Sequence, residues 1–189
     1  KIGSVGQRAS GSLKTLGKGM ATVGALGGVM AGSIGVASAK MIELASDSEE
    51  SANAFGVTFR EASDELNKFV DEFSTKAGFT TAELQELLSF TGGVVKGMGA
   101  SSEASAEFSK EVAKLSGDIG SLRNRDPEQV LRAITSALTG EREQLKGLGV
   151  VLKQVDVDQR ALTMTNKNAV SELTNMEKAQ ATLTLIQEA

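Results

Sequence analysis

Few residue types in this chain could carry chemistry. Its 189 residues include no Cys, His, Trp or Tyr, which excludes a thiolate nucleophile, an imidazole base and a zinc site with nitrogen or sulfur ligands. The tightest cluster of acids and bases is Glu141 and Glu143 with Arg142 and Lys146, next to a glycine. Carboxylates at a helix start usually stabilise the helix dipole, and nothing in the sequence indicates the cleft that a glycosidase pair needs.

Metal and phosphate sites lack their characteristic spacing as well. Asp156 and Asp158 suggest calcium ligands, but the twelve-residue loop with a central Gly and a closing Glu is missing. The glycines at 92–93 and at 97 and 99 precede no Gly-Lys-Ser/Thr, and no predicted strand leads into them. The sequence therefore predicts no catalytic residue, no metal and no cofactor, and we expect the protein not to be an enzyme.

Charge divides the chain into a basic arm and an acidic body. Residues 1–40 contain five basic residues and no acid, whereas residues 41–189 contain the other 15 basic residues and all 24 acids. The arm therefore carries +5 and the rest −9. The five bases are sparse and have no aromatic residues beside them for stacking, so we expect no sequence-specific binding of nucleic acid.

The arm includes a run of 21 uncharged residues, Gly19–Ala39, which is long enough to span a bilayer but only weakly apolar. Small residues recur in it at four-residue spacing, as candidates for close helix packing: Gly24, Gly28 and Gly32, and Gly27, Ala31 and Gly35. Three interpretations stay open: a helix packed against other copies of the chain, a membrane segment, and a flexible linker.

Apolar residues after residue 40 recur at helical spacing. The stripes include one that runs from Met41 through Phe55 and Phe59 to Ala77 as a single pattern. With only one Pro, they predict a mainly α fold, an elongated helical bundle or long, coiled-coil-like helices. We expect a body of several amphipathic helices over 41–149 and a mixed segment over 150–189 that ends in a helix.

Three helix starts have capping signatures. Thr80 precedes Glu83 by three residues and Thr174 precedes Glu177 in the same way, which is the capping-box spacing. Asp126-Pro127 places an acceptor before a proline at the first helical position. Between the last two starts, Val155 and Val157 alternate with Asp156 and Asp158. Farther on, residues 161–165 and 169–173 flank Asn166-Lys167-Asn168. The segment therefore allows a small β-hairpin around 150–173 with an Asn-rich turn, with short helices as the alternative.

The segment 126–152, DPEQVLRAITSALTGEREQLKGLGVVL, resembles the most recognisable part of phage tail tape measure proteins. The matching residues are Ala133, Ser136, Ala137, Leu138, Gly140 and Glu141, then Leu145, Leu148, Gly149 and Val150. Residues 173–181, LTNMEKAQA, and the segment from Ser38 to Phe55 resemble two further elements of that family. The three follow in the family's order over residues 38–189, and the segment 153–173 departs from the family's pattern.

The resemblance implies a structural role. Tape measure proteins lie in the lumen of a growing tail and set its length, and some help DNA cross the host membrane. We therefore expect a virion protein of the tail lumen, in contact with copies of itself, with the tail tube, tail tip and tail chaperone proteins, and during ejection with the host inner membrane. As one helix, 189 residues span about 280 Å, so we expect a piece of a longer ruler. The alternative is a membrane-active, pore-forming or toxin-like helical protein.

Overall fold

The computed structural model describes residues 49–189 of the chain. Helix α1 is described over residues 49–59 and is followed by a 3-10 turn, Arg60–Ala62. The other helices are α2 (Ser63–Ala77), α3 (Thr81–Gly97), α4 (Ser102–Arg123), α5 (Pro127–Leu138), α6 (Glu143–Lys146), α7 (Gln154–Thr165) and α8 (Asn175–Gln187), with a second 3-10 turn at Val170–Glu172. Residues 49–189 contain no strand, so the predicted mainly α fold class is confirmed.

The β-hairpin predicted as a possibility around 150–173 is wrong, and the alternative of short helices is confirmed. Helix α7 occupies the first half of this segment and a 3-10 turn lies in the second. Val157 and Ala161, four residues apart, are buried on one face of α7, whereas Val155 is 62% exposed. Val157 therefore faces the core and Val155 faces solvent, and a window of four residues is too short to distinguish a helical period from that of a strand.

The three predicted helix starts are confirmed by hydrogen bonds. Thr80 and Glu83 form a reciprocal capping box, with the Thr80 amide donating to Glu83 Oε2 at 2.7 Å. The Thr174 amide donates to the Glu177 carboxylate in the same way, also at 2.7 Å. At α5, Asp126 Oδ1 accepts from the Glu128 amide at 2.9 Å, so each helix begins at the residue that its sequence indicates.

The main core lies between α3, α4 and α5, which pack in chain order, each helix against the next. Leu84, Leu88, Val112, Leu131 and Ile134 are among its fully buried side chains. Two buried hydroxyls meet where α3 crosses α5. A hydrogen bond of 2.9 Å there joins Thr91 Oγ1 to Thr135 Oγ1.

Helix α8 separates this core from a smaller one. Ala179, Leu183 and Ile186 belong to the main core, while Ala181 packs with α7 in a second cluster. Ion pairs along the contact link Arg160 to Glu188 and Lys178 to Asp158. The α7–α8 pair is thus held to the rest of the fold largely through one face of α8.

The apolar stripe predicted as one pattern from Met41 to Ala77 is interrupted at Arg60, whose φ is +48°. Helix α1 lies along α3 in the same direction: Ala54 lines a pocket with Ser89, and Thr58 lies beside Gly92. Helix α2 lies along α4, with Glu65 near Lys110 and Phe73 near Gly117. Because α3 and α4 form an antiparallel pair, the chain must reverse its direction between α1 and α2.

Candidate functional site

The small residues predicted to mediate helix packing lie outside the described residues. They are Gly24, Gly28 and Gly32, and Gly27, Ala31 and Gly35. Their role in self-packing or membrane insertion therefore stays a prediction, and so does the transmembrane helix predicted for the run around them. Over residues 49–189, no helix is long and apolar enough to cross a membrane.

The acid–base cluster after α5 consists of local and surface contacts. Lys146 Nζ pairs with its neighbour in α6, Glu143, at 2.8 Å. Arg142 donates from Nη1 to Gln154 Oε1 at 2.9 Å. Glu141 is exposed. Glu141 and Glu143 line one open surface pocket together with Arg142, and Glu143 is held there in its ion pair with Lys146.

The segment 126–152 folds as one packed unit that consists of α5, a turn, α6 and the irregular residues up to 152. Pro127 begins α5 against Gly120 of α4, where an added Cβ would lie 3.2 Å from Pro127 Cγ. The apolar residues of the unit are buried, namely Val130, Leu131, Ala133, Ile134, Ala137, Leu138, Leu145, Leu148 and Val150. The residues that carry the resemblance are therefore largely those that pack this unit on the body.

Two glycines of this unit end its helical turns in the left-handed region. Gly140, at φ +103°, follows α5, and the Glu141 amide donates back to the Ser136 carbonyl at 3.1 Å. Gly149, at φ +75°, follows α6, and an added Cβ would lie 2.6 Å from Arg123 Nη1. Both positions need glycine for its backbone conformation.

A polar groove of about 650 Å³ lies where the two resembling segments 126–152 and 173–181 meet. Its polar residues form a chain: Arg142 bonds Gln154, the Gln154 amide donates to Asp158 Oδ1 at 2.8 Å, and Lys178 Nζ lies 3.7 Å from Asp158. Its floor is apolar or backbone, formed by Gly93, Val94, Gly97, Met98 and Leu138. Sequence reasoning missed this groove because its side chains come from four separate elements, with no spacing to relate them.

The most strongly anchored loop is the one that leads into α8. Lys167 Nζ donates to both Glu177 oxygens at 2.7 Å and to the Glu172 carbonyl at 2.8 Å. The pKa of Glu177 is lowered by the Lys167 hydrogen bond and then by those from Thr174. The pKa of Glu83 is likewise lowered, by hydrogen bonds from the Thr80 backbone and side chain. Both carboxylates therefore act as helix caps.

The described residues contain no group of three or more acidic side chains arranged to hold a metal ion. Asp156 accepts from the Lys153 amide at 3.2 Å at the start of α7, and Asp158 belongs to the polar groove. The two aspartates thus serve separate local contacts.

Comparison with known proteins adds no relative. Neither family models, curated proteins nor solved structures give a match to this chain.

Proposed function

We propose that this chain is a structural component of a phage tail, a segment of the tape measure protein that sets tail length in the tail lumen. Its partners in this role are other copies of the chain, the tail tube, the tail tip and tail chaperone proteins. The proposal rests on the resemblance of residues 38–189, and the mainly helical fold agrees with it.

The observation that carries the proposal is what the resembling residues do. In 126–152 they fill the core or end helical turns, and in 173–181 they begin α8 and pack it on both cores. Residues used for packing and turns favour a scaffold role, because an enzyme or receptor motif would direct most of its polar groups into one cleft. Of the matching residues named in 126–152, only Leu138 and Gly140 line the polar groove, and neither has a polar side chain.

Whether the segment is a folded bundle or one extended helix decides how much it adds to the length of the tail. The longest described helix, α4, has 22 residues and spans about 33 Å. The roughly 140 described residues, drawn into one helix, would span about 210 Å. We propose that they count as ruler in the drawn-out form, and that the bundle forms outside the lumen.

Tail length measured by electron microscopy tests this. An in-frame deletion of residues 60–120 from the parent gene should shorten tails by about 90 Å, at 1.5 Å per residue. The matched control is Leu131→Asp, which puts a charge into the core at a fully buried position and keeps the chain length. We expect tails of normal length from it. Tails of full length from the deletion would contradict the ruler role.

We also propose that the basic arm helps DNA delivery at the host membrane. Its +5 charge and uncharged run match an anionic lipid surface. The full chain should bind vesicles that contain anionic lipid, and neutralising Lys14 and Lys18 with Gln should weaken that binding. Equal binding to neutral and anionic vesicles, or no binding to either, would contradict this part of the proposal.

A further inference from the structure

The chain reverses at Arg60 without a residue type that favours a reversal. The sequence Phe59-Arg60-Glu61-Ala62 has no Gly or Pro, and Arg, Glu and Ala are good helix formers. Arg60 nevertheless has a φ of +48°, in the left-handed region that non-glycine residues rarely adopt. No side chain caps the start of the 3-10 turn or of α2.

The helical spacing of apolar residues continues without interruption across the reversal. The steps alternate between three and four residues along Phe55, Phe59, Ala62, Leu66, Phe69 and Phe73. This is the pattern of one face of a single helix. Local preference therefore favours one helix over residues 49–77, about 43 Å long, and tertiary contacts must hold the reversed form.

The 3-10 turn packs on α4, and two contacts from α3 hold the end of α1. Lys96 Nζ donates to the Thr58 carbonyl at 2.8 Å, which satisfies an acceptor that the end of α1 leaves free. The Phe59 ring lies on the bare backbone of Gly92, where an added Cβ would come within 2.5 Å of the ring carbons Cε1 and Cζ. A third contact is local, from Ser63 Oγ to the Arg60 carbonyl.

We propose that residues 49–77 form a two-state joint. They are a reversed pair of helices while Gly92 and Lys96 hold Phe59 and Thr58, and they become one continuous helix when those contacts are lost. The reversed form is the ground state because it buries Phe55 and Phe59, which are 1% and 0% exposed. The inference stands on the contacts alone and does not depend on the proposed function.

Spin labels on the full chain can report the two states. Because the chain has no Cys, Asn53→Cys and Asp71→Cys, both at exposed positions, can be labelled without background. The two Cα atoms would lie about 27 Å apart on a continuous helix, and closer together in the reversed pair. Pulsed electron paramagnetic resonance resolves these distances.

The decisive variants are neighbouring glycines of α3. Gly92→Ala removes the seat of the Phe59 ring, whereas at Gly93 an added Cβ meets nothing within 4 Å. In the labelled chain, Gly92→Ala should raise the population at the long distance relative to that at the short distance by about tenfold or more. The reason is that the Phe59 ring can no longer be buried against residue 92. Gly93→Ala should leave the ratio unchanged, and both variants should keep their helical circular dichroism at 222 nm.

Two more variants separate straightening from unfolding. Lys96→Met should also raise the fraction of molecules at the long distance. Adding Arg60→Gly to Gly92→Ala should lower that fraction, because glycine accepts a positive φ and weakens the continuous helix. The proposal is overturned if Gly92→Ala keeps the short distance, or if its distances broaden and its ellipticity falls. It is also overturned if Arg60→Gly leaves the long fraction unchanged.

Discussion

The hydroxyl pair between α3 and α5 allows a prediction in which two similar mutations differ. Thr91 Oγ1 donates its only proton to the Leu87 carbonyl at 3.0 Å. Thr135 must therefore donate in the 2.9 Å bond between the two hydroxyls. Both residues are fully buried, so a hydroxyl that loses its partner has no water to replace it.

The magnitudes follow from which group is left unpaired. Thr91→Val keeps the shape but leaves the Thr135 proton without an acceptor, which should cost about 1–3 kcal/mol. Thr135→Val leaves Thr91 still bonded to Leu87 and should cost about 0.5–1.5 kcal/mol. The double variant should cost less than the sum by about 1 kcal/mol or more, because it removes the unpaired proton.

Urea denaturation followed by circular dichroism at 222 nm measures this cycle, since the chain has no Trp or Tyr for fluorescence. With m-values of about 1–3 kcal/mol per molar urea, the Thr91→Val midpoint should fall by several tenths of a molar or more. Thr163→Val is the control. Its exposed hydroxyl bonds only the Gln159 carbonyl of its own helix, so its cost should stay within about 0.5 kcal/mol. A Thr135→Val cost above that of Thr91→Val, or strict additivity, would refute the reasoning.

Three further predictions use the same denaturation assay. Gly149→Ala should destabilise by about 1 kcal/mol or more, because Ala is strained at the positive φ of this position, whereas Gly147→Ala should cost clearly less; equal costs would contradict the glycine argument. Leu88→Ala should cost about 2–5 kcal/mol at a fully buried site, against less than about 0.5 kcal/mol for Val57→Ala at a position 74% exposed. The lowered pKa of Glu83 adds stability that is present above its ordinary value of 4.5 and lost as the pH falls below it; Glu83→Gln should make this loss smaller, and an unchanged pH dependence would show that the cap does not contribute.

The helix starts could be predicted from sequence because their causes are local. At Thr80, Asp126 and Thr174, the cap and the amide it bonds are two or three residues apart, so a short window contains the whole interaction. The same holds for the buried stripes of α3 and α4. It fails at α7, where Val155 and Val157 fit both a strand and a helix over a few residues.

The reversal at Arg60 and the polar groove could not be predicted, because their causes are distant in sequence. Arg60 is surrounded by helix formers, and the contacts that turn the chain come from Gly92 and Lys96, more than 30 residues later. Arg142 and Lys178 likewise line the same groove only because α5 packs against α8. The spacing of apolar residues identifies the helices, but it does not show which helices contact each other.

The packing of each helix against its neighbour along the chain has a consequence for folding kinetics. Helices α3 to α5 and the pair of α7 and α8 make most of their contacts over short sequence separations. Helical proteins of such low contact order fold in microseconds to milliseconds. We expect a unit of this kind, once stretched, to regain its structure on that timescale while the Asp126–Pro127 bond stays trans, since only its isomerisation would take tens of seconds. We therefore expect that the chain can refold unaided after mechanical extension of this segment.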